Sequence, residues 1–424
     1  MLANQITFIL ILCTSSLVQA EPTNTLSLPT ALNIAVQDNP NLAQMQARYQ
    51  AMLAIPLQMG SLPDPIISFN ALNIPVDSFD LAQENMTQMQ GGISQAIPFF
   101  GKLALSAQTA NYQAEAAKYD VDELRLQLLS HVKQNWWMLF YLQRSLNIIH
   151  LNKILLRQFV NIARTKYEVG EGLQQDVLLA QLELSKLLDK KIRIAASRKK
   201  SQAQLNTLLS RPANQLIDLP EQASETLAIL KSETILYAEA EHTRALLSSR
   251  RESIHAAQSR LKLAKKDLLP DFNVGLFYGG RFDTLSGQER ADLMSFKVSM
   301  SVPIFAASKQ QKAIDQYNSE LIQQRYLLKD QWNQTRAAIS STYSDYQQHQ
   351  QQSILFKQGI IPQARQTVAS MLAGYQVNKV DFLNLVRSQI TLYNYEIQYW
   401  QALSLANQAA AQLMAIVGKE EIYE

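Results

Sequence analysis

The five histidines, His131, His150, His242, His255 and His349, are the imidazoles available for acid–base chemistry or metal ligation, and none stands within a helical turn of another. Ligand pairs on a helix need that spacing, so the pattern argues against a histidine metal centre. No Gly-rich phosphate loop or nucleophile-elbow serine is present, and the single cysteine, Cys13, lies in the first twenty residues. Met45, Met52 and Met59 fall seven apart, and Met86 and Met89 follow. Thioethers can hold soft metal ions, but a seven-residue spacing is one helix face, and methionine packs well in irregular helix interfaces. We therefore expect no enzyme, no cofactor and no resident metal, and look for function in architecture.

The elements are unusual. The 424 residues hold 13 glycines and 13 prolines, and charged residues are 18% of the chain. So few breakers point to a few very long helices, and so few charges to helices packed on more than one face. The opening "MLANQITFILILCTSSLVQA" reads as a secretory signal over residues 1–20, with an apolar core from Ile6 to Leu12 and cleavage after Ala20, leaving 21–424 as one mature unit. Bulky Ile11 and Leu12 before Cys13 argue against lipid attachment there. No later stretch reaches 18 apolar residues, so any crossing of a membrane by the mature chain would be by strands in a closed barrel. The net charge of +3 has no basic block behind it and gives no support to nucleic-acid binding.

The chain repeats itself. Leu62-Pro63-Asp64 returns as Leu269-Pro270-Asp271, 207 residues on; Pro98 of "SQAIPFFGK" matches Pro303 of "SMSVPIFAASK"; and "YEVGEGLQQDVLLAQLEL" from Tyr167 matches "YQVNKVDFLNLVRSQITL" from Tyr375. Three landmarks in one order imply two copies of a unit, 28–219 and 225–418, each reading helix, strand, strand, long helix, turn, helix. Lys102 to Tyr167 contains no Gly or Pro over 66 residues. A continuous helix of that length would span on the order of 100 Å. Its counterpart, from Ala307 to Tyr375, should kink near Pro362.

Four short segments have period 2. They lie near 65–74, 87–98, 271–280 and 292–303, and set Ile67, Phe69, Met89, Ile93, Val274, Leu276, Phe296 and Val298 on one face against Ser68, Asn70, Gln90, Ser94, Asn273, Ser295 and Lys297 on the other. At about 9–11 residues each is the length of a tilted membrane strand. An extended coiled-coil scaffold has no use for such strands. Four cannot enclose an interior, for which about eight are needed, so oligomerisation follows, and three copies would supply twelve. The connecting segments 75–87 and 281–291 are polar and would face outward.

In motif order, duplication and lengths, the mature chain resembles the TolC family of outer-membrane efflux channels. "LPDP", "PVDSF…QENMTQMQ", "SQAIPFFGK" and "YQVNKVDFLNLVRSQITLYNYE" are most similar to the branch paired with heavy-metal exporters of the RND type. The resemblance implies a mainly α fold with a membrane β portion: a homotrimer whose twelve-stranded barrel in the outer membrane of a Gram-negative bacterium continues into a periplasmic α-helical barrel. It implies a duct that receives substrate, heavy-metal cations in that branch, from an inner-membrane pump through a periplasmic adaptor, with no bond made or broken. A duct for organic drugs or secreted proteins, or a periplasmic helical scaffold, are the competing readings.

By the same resemblance the turns near 167–176 and 375–381 form the periplasmic tip, where acidic side chains ring the closed pore. Asp381 matches the first acid of a D-x-L-D pattern, with Asn384 at the second acid's place. Asp176 matches the acid that holds the gate at the other turn, with Tyr375 as its partner, Lys379 as the nearest base, and Asp176 aligned to Asp381 across a second turn three residues shorter. Capping of a helix start is the alternative role for these acids. Val169, Gly170 and Gly172, with Val377 and Asn378, are the expected adaptor-contacting turns; Asn378 stands where glycine is expected and tolerates the left-handed conformation.

Overall fold

The structure, a computed structural model, describes residues 25–423, so the signal expected over 1–20 lies outside the described residues. The first repeat runs through α1 (Leu28–Asp38), α2 (Pro40–Leu53), α3 (Ile55–Gly60), β1 (Ile66–Leu72), β2 (Gln88–Ile97), α4 (Lys102–Glu168) and α5 (Gln174–Leu208). The second follows with α6 (Glu233–Thr243), α7 (Ala245–Lys266), β3 (Phe272–Gly280), β4 (Leu293–Met300), α8 (Gln310–Leu355), a π-helical turn (Phe356–Ile360), α9 (Ile361–Gln376) and α10 (Phe382–Val417).

The long helix expected from the gap in Gly and Pro over Lys102–Tyr167 is present as α4, 67 residues ending at Glu168. Its counterpart, expected to kink near Pro362, passes there through a π turn with helical backbone on both sides. Pro362 has no N–H to donate and its ring crowds the carbonyl one turn back, and a wider turn absorbs both. That turn also resets the register between repeats. Above it, buried Leu128, Val132 and Leu139 of α4 match buried Thr335, Ile339 and Tyr346 of α8 at an offset of 207; below it, Tyr167 matches Tyr375 at 208.

The approach helix of each repeat breaks at one place with one backbone geometry. Asn39 and Arg244, 205 apart, are extended caps with φ −75° and ψ 116°, and φ −68° and ψ 115°. Asn39 Oδ1 accepts from the N–H groups of Asn41 and Leu42 at 3.0 and 3.2 Å, with Pro40 preset for the first turn. Arg244 cannot do this, and the task passes to another helix: Glu123 of α4 accepts the Leu246 N–H at 3.2 Å and pairs with Arg244 at 3.4 Å, both side chains about nine-tenths buried. Arg244 also donates to Thr335 Oγ1 of α8 at 2.7 Å, so one guanidinium joins three helices.

The four strands form one antiparallel sheet in chain order β1-β2-β3-β4. The register sets Phe69 against Gly91, Ile93 against Leu276 and Leu276 against Phe296. Partners share a face, so the apolar residues named from the sequence form a band across all four strands, and it is exposed, with Phe69 at 85% and Met294 and Phe296 at 74%. β4 ends at Met300, short of the expected 303; β3 begins at Phe272, and beyond it the Asp271 N–H goes to the Ser301 side-chain hydroxyl at 3.0 Å in place of a carbonyl. Among the described residues both outer edges, β1 and β4, are unpaired.

Below the sheet, α7 lies between α4 and α8, while α2 and α3 pack on α4. The largest aromatic contact, Trp136, Trp137, Phe140 and Trp400 with centroids 5.1–5.8 Å apart including Tyr399, bridges α4 to α10 and so joins the repeats. No helix among the described residues is long and apolar enough to cross a membrane. Replacing Arg244 with Leu strands the buried Glu123 carboxylate and is expected to lower stability by about 3 kcal/mol; chemical denaturation followed by tryptophan fluorescence checks this, and the double variant with Glu123→Leu should recover part of the loss.

Candidate functional site

The two helix-to-helix turns are copies of one another, residue for residue, at an offset of 208. Each is five residues long, 169–173 and 377–381, so the expectation of a shorter second turn is corrected. The Gly170 N–H donates to the Tyr167 carbonyl and Asn378 to Tyr375, both at 3.1 Å; Glu171 donates to Lys166 at 2.8 Å and Lys379 to Gly374 at 2.9 Å. These are the paired backbone bonds that close a helix with a left-handed residue. Gly170 has φ 77° and Asn378 φ 58°, so asparagine holds the glycine position as expected.

The next positions show why the repeats differ in sequence here. A Cβ on Gly172 would lie 2.9 Å from the Lys166 Cβ, and one on Gly374 would lie 2.5 Å from Val380 Cγ2. Positions 166 and 374 correspond, as do 172 and 380. Each turn therefore crosses too closely for two side chains, and the glycine sits on opposite sides of the crossing in the two copies.

The offset also reassigns the acids. Asp176 is the third residue of α5, and the third residue of α10 is Asn384; Asp381 is the cap of α10, where the first repeat has Leu173. Asp176 thus aligns with Asn384 and not with Asp381. The two acids nevertheless come together, one from each turn. Partial burial raises the Asp176 carboxyl above the usual carboxylate range; a hydrogen bond with the Leu173 backbone opposes this, and the charge of Asp381 adds to it. Capping accounts for part of Asp176, then, but not for its coupling to Asp381. Asp381 is exposed and its side chain makes no capping bond.

Tyr375 is buried beside Phe382, centroids 5.4 Å apart, and its hydroxyl is pushed up by burial and then by Asp176. The base in this site is Lys166, which the sequence reading missed. Its Nζ donates to Asn378 Oδ1 at 2.7 Å and lies 4.4 Å from the Tyr375 ring centroid, tying the first turn to the second. Lys379 is exposed and, among the described residues, forms no ion pair. The missed signal was available: at an offset of 208 Lys166 falls opposite Gly374, a large-for-small exchange mirrored at 172 and 380. At the extreme end Val169 and Val377, 65% and 63% exposed, occupy equivalent positions. Met45, Met52, Met59, Met86 and Met89 are spread over α2, α3, β2 and the segment before it, and no cluster of three or more His, Cys, Asp or Glu suited to a metal occurs among the described residues.

The family's sequence profile, outer membrane efflux protein, matches residues 31–211 and again 236–419, one match to each repeat. The chain belongs to the outer membrane efflux protein family. No curated protein sequence matches closely enough to count as a relative. Among solved structures, the outer-membrane channel OprN superposes with a TM-score of 0.78 at 17% identity over 92% of this chain and 89% of that one. The outer membrane protein VceC of Vibrio cholerae gives 0.77 at 16%, over 92% and 96%. CusC, described in connection with transmembrane channel formation, gives 0.74 at 16%, over 95% and 96%. The duplicated, mainly helical fold with its antiparallel strands is thus that of outer-membrane channel protomers.

The Asp176 shift sets a pH dependence. A carboxyl whose pKa is raised in the folded tip stabilises that tip below its ordinary pKa, and the contribution is lost as pH rises through the raised value. Amide exchange in the first turn of α5, corrected for intrinsic rates, should therefore quicken as pH rises across that interval, and Asp176→Asn should abolish the step. Gly374→Lys should loosen the second turn, and adding Val380→Gly, which reproduces the first turn's arrangement, should restore protection.

Proposed function

We propose that three copies of this chain form an outer-membrane duct that passes heavy-metal cations outward, received from an inner-membrane RND pump through a periplasmic adaptor. The observation that carries the membrane part is the sheet: an exposed apolar face running over four strands, with both edges unpaired. Hydrocarbon tolerates no open edge, and four strands cannot close on themselves. β1 and β4 run antiparallel to each other, so β4 of one copy pairs with β1 of the next in the same sense as the pairs within the chain, and three copies make twelve strands.

The helices support the same assembly. Inside the chain α7 fills the groove between α4 and α8, and its counterpart α2–α3 covers α4 alone. Leu57 on α3, and Ile322 and Tyr326 on α8, are exposed at the two ends of the helical arc, where apolar faces of neighbouring copies would meet. Closed in this way the helices make a tube below the barrel, with no chemistry performed on the cargo.

The tip is the gate in this reading. Asp176 and Asp381 from each of three copies place six carboxylates around the axis, with Asn384 reducing the ring from what the second acid would supply, Tyr375 packed behind, and Lys166, rather than Lys379, holding the two turns together. Acid rings favour cations. Val169, Gly170, Val377 and Asn378, all exposed, with half-buried Gly172, form paired knobs for the adaptor, two per copy. The metal branch rests on the phrases "LPDP", "SQAIPFFGK" and "YQVNKVDFLNLVRSQITLYNYE" and on those carboxylates.

A strain lacking the gene, with redundant ducts removed, should lose tolerance to copper, silver, zinc or cobalt and keep tolerance to dyes; the reverse result would make organic compounds the cargo. In planar bilayers the Asp176→Asn, Asp381→Asn double variant should move the reversal potential under a salt gradient toward the non-selective value, and Val169→Glu with Val377→Glu should weaken adaptor capture without changing that potential.

A further inference from the structure

The start of α4 is held to the second repeat by a lysine in a socket. Lys102, buried to all but 8% of its surface, sets its Nζ 2.9 Å from the Asp271 carboxylate and 3.3 Å from Asp267, and donates to the Leu269 carbonyl at 3.1 Å. Asp271 Oδ1 also accepts the Phe99 N–H at 2.7 Å. Leu269 and Asp271 belong to the second Leu-Pro-Asp. Within the chain, then, that phrase receives the lysine that begins the long helix of the other repeat.

The same parts occur a second time and are left unassembled. Leu62-Pro63-Asp64 precedes Leu269-Pro270-Asp271 by 207 residues, and Lys309 follows Lys102 by the same 207. Asp64 and Lys309 are both exposed, and among the described residues neither side chain has an ion pair or hydrogen bond. Asp64 leads into β1 and Lys309 follows β4, so they lie at the two unpaired edges of the sheet. The chain from Pro303 to Lys309 carries five intervening residues where Pro98 to Lys102 carries three, and it folds there as turns that leave Lys309 exposed on the rim of a hollow also lined by Asp267 and Asp271.

We infer that Lys309 of one copy enters a socket made by the Asp64 carboxylate and the Leu62 carbonyl of the next, repeating at each seam between copies the contact that Lys102 makes inside the chain. This rests on the trimeric reading above. The seam socket is simpler than the internal one, because Gly60 stands where Asp267 supplies a second carboxylate. The other internal tie, Glu123 to Arg244 and the Leu246 N–H, is not repeated at the seam, since Asn39 takes the place of Arg244 and caps its own helix. Of the two ion-paired ties that join α4 to the α7 segment, only the one at the junction of strand and helix has its residue types on both sides of the seam.

The test uses the full-length protein purified in detergent, with its oligomeric state read by native mass spectrometry and a zero-length carbodiimide coupling paired ammonium and carboxylate groups. Coupled dimer and trimer bands should contain a peptide joining Lys309 to Asp64, and Lys309→Arg, which keeps the charge but forms no stable amide, should lose that peptide while remaining trimeric. Lys309→Glu and Asp64→Lys should each lower the temperature at which the trimer dissociates, and the two together should recover at least half of the larger loss. A trimer that yields no such peptide, or a charge exchange no better than the worse single variant, overturns the seam socket and leaves the trimer standing. A protein that is not trimeric at all overturns both.

Discussion

Backbone N–H and C=O groups left unpaired in hydrocarbon cost several kcal/mol each, and here that requirement falls on two places, the outer edges of β1 and β4. Much of the remaining architecture follows from it. Among the described residues neither the apolar band on one sheet face nor the two edges has a partner, and in the proposed assembly lipid and neighbouring copies supply them. Each strand pair is followed within ten residues by a long helix, so the closure required of the strands is passed to the helices beneath them. A chain that satisfies its own backbone in one half and leaves two edges open in the other is specified as a part of something larger.

Duplication lets one chain serve two such positions, and the structure shows how the copies have diverged without losing their geometry. Asn39 caps α2 by itself, whereas α7 is capped by a carboxylate reaching from α4. The two tip turns keep one backbone and one pair of hydrogen bonds, yet glycine sits on opposite sides of the crossing. A single π turn before Pro362 takes up the one residue by which the offset grows from 207 to 208. In each case the backbone position is the constant, and whichever residue can satisfy it is admitted.

At the tip the electrostatics come from proximity and not from repetition. Asp176 and Asp381 occupy different positions in equivalent turns, and they meet because α5 and α10 begin side by side. The two turns are held together by packing of Tyr375 on Phe382 and by Lys166, which reaches across to Asn378. An arrangement of like charges held together by contacts of modest strength is one that small changes in protonation can bias.

The sequence by itself determined the elements. The absence of Gly and Pro from 102 to 167 specifies α4, since nothing in that stretch interrupts helical hydrogen bonding; period-2 alternation specifies the strands and which face of each is apolar; and the returning Leu-Pro-Asp and Tyr-x-Val phrases specify the duplication, because those residue types are demanded by the backbone at the same points in each copy. Contacts between distant segments were decided only in three dimensions. Aligning Asp176 with Asp381 by residue type was natural and wrong, because turn length is set by hydrogen bonds that leave no residue signature when Asn replaces Gly. The exchange of Lys166 for Gly374 between the repeats marks Lys166 out in the sequence, but what it touches was decided only when its helix end was placed beside Asn378 and Tyr375. The buried Glu123 reads in sequence as one more charged helix position, and only the approach of α7 gives it a helix end to cap. Periodicity reports on a segment's own neighbours, and a socket shared between segments 207 residues apart becomes visible only when the fold brings them together.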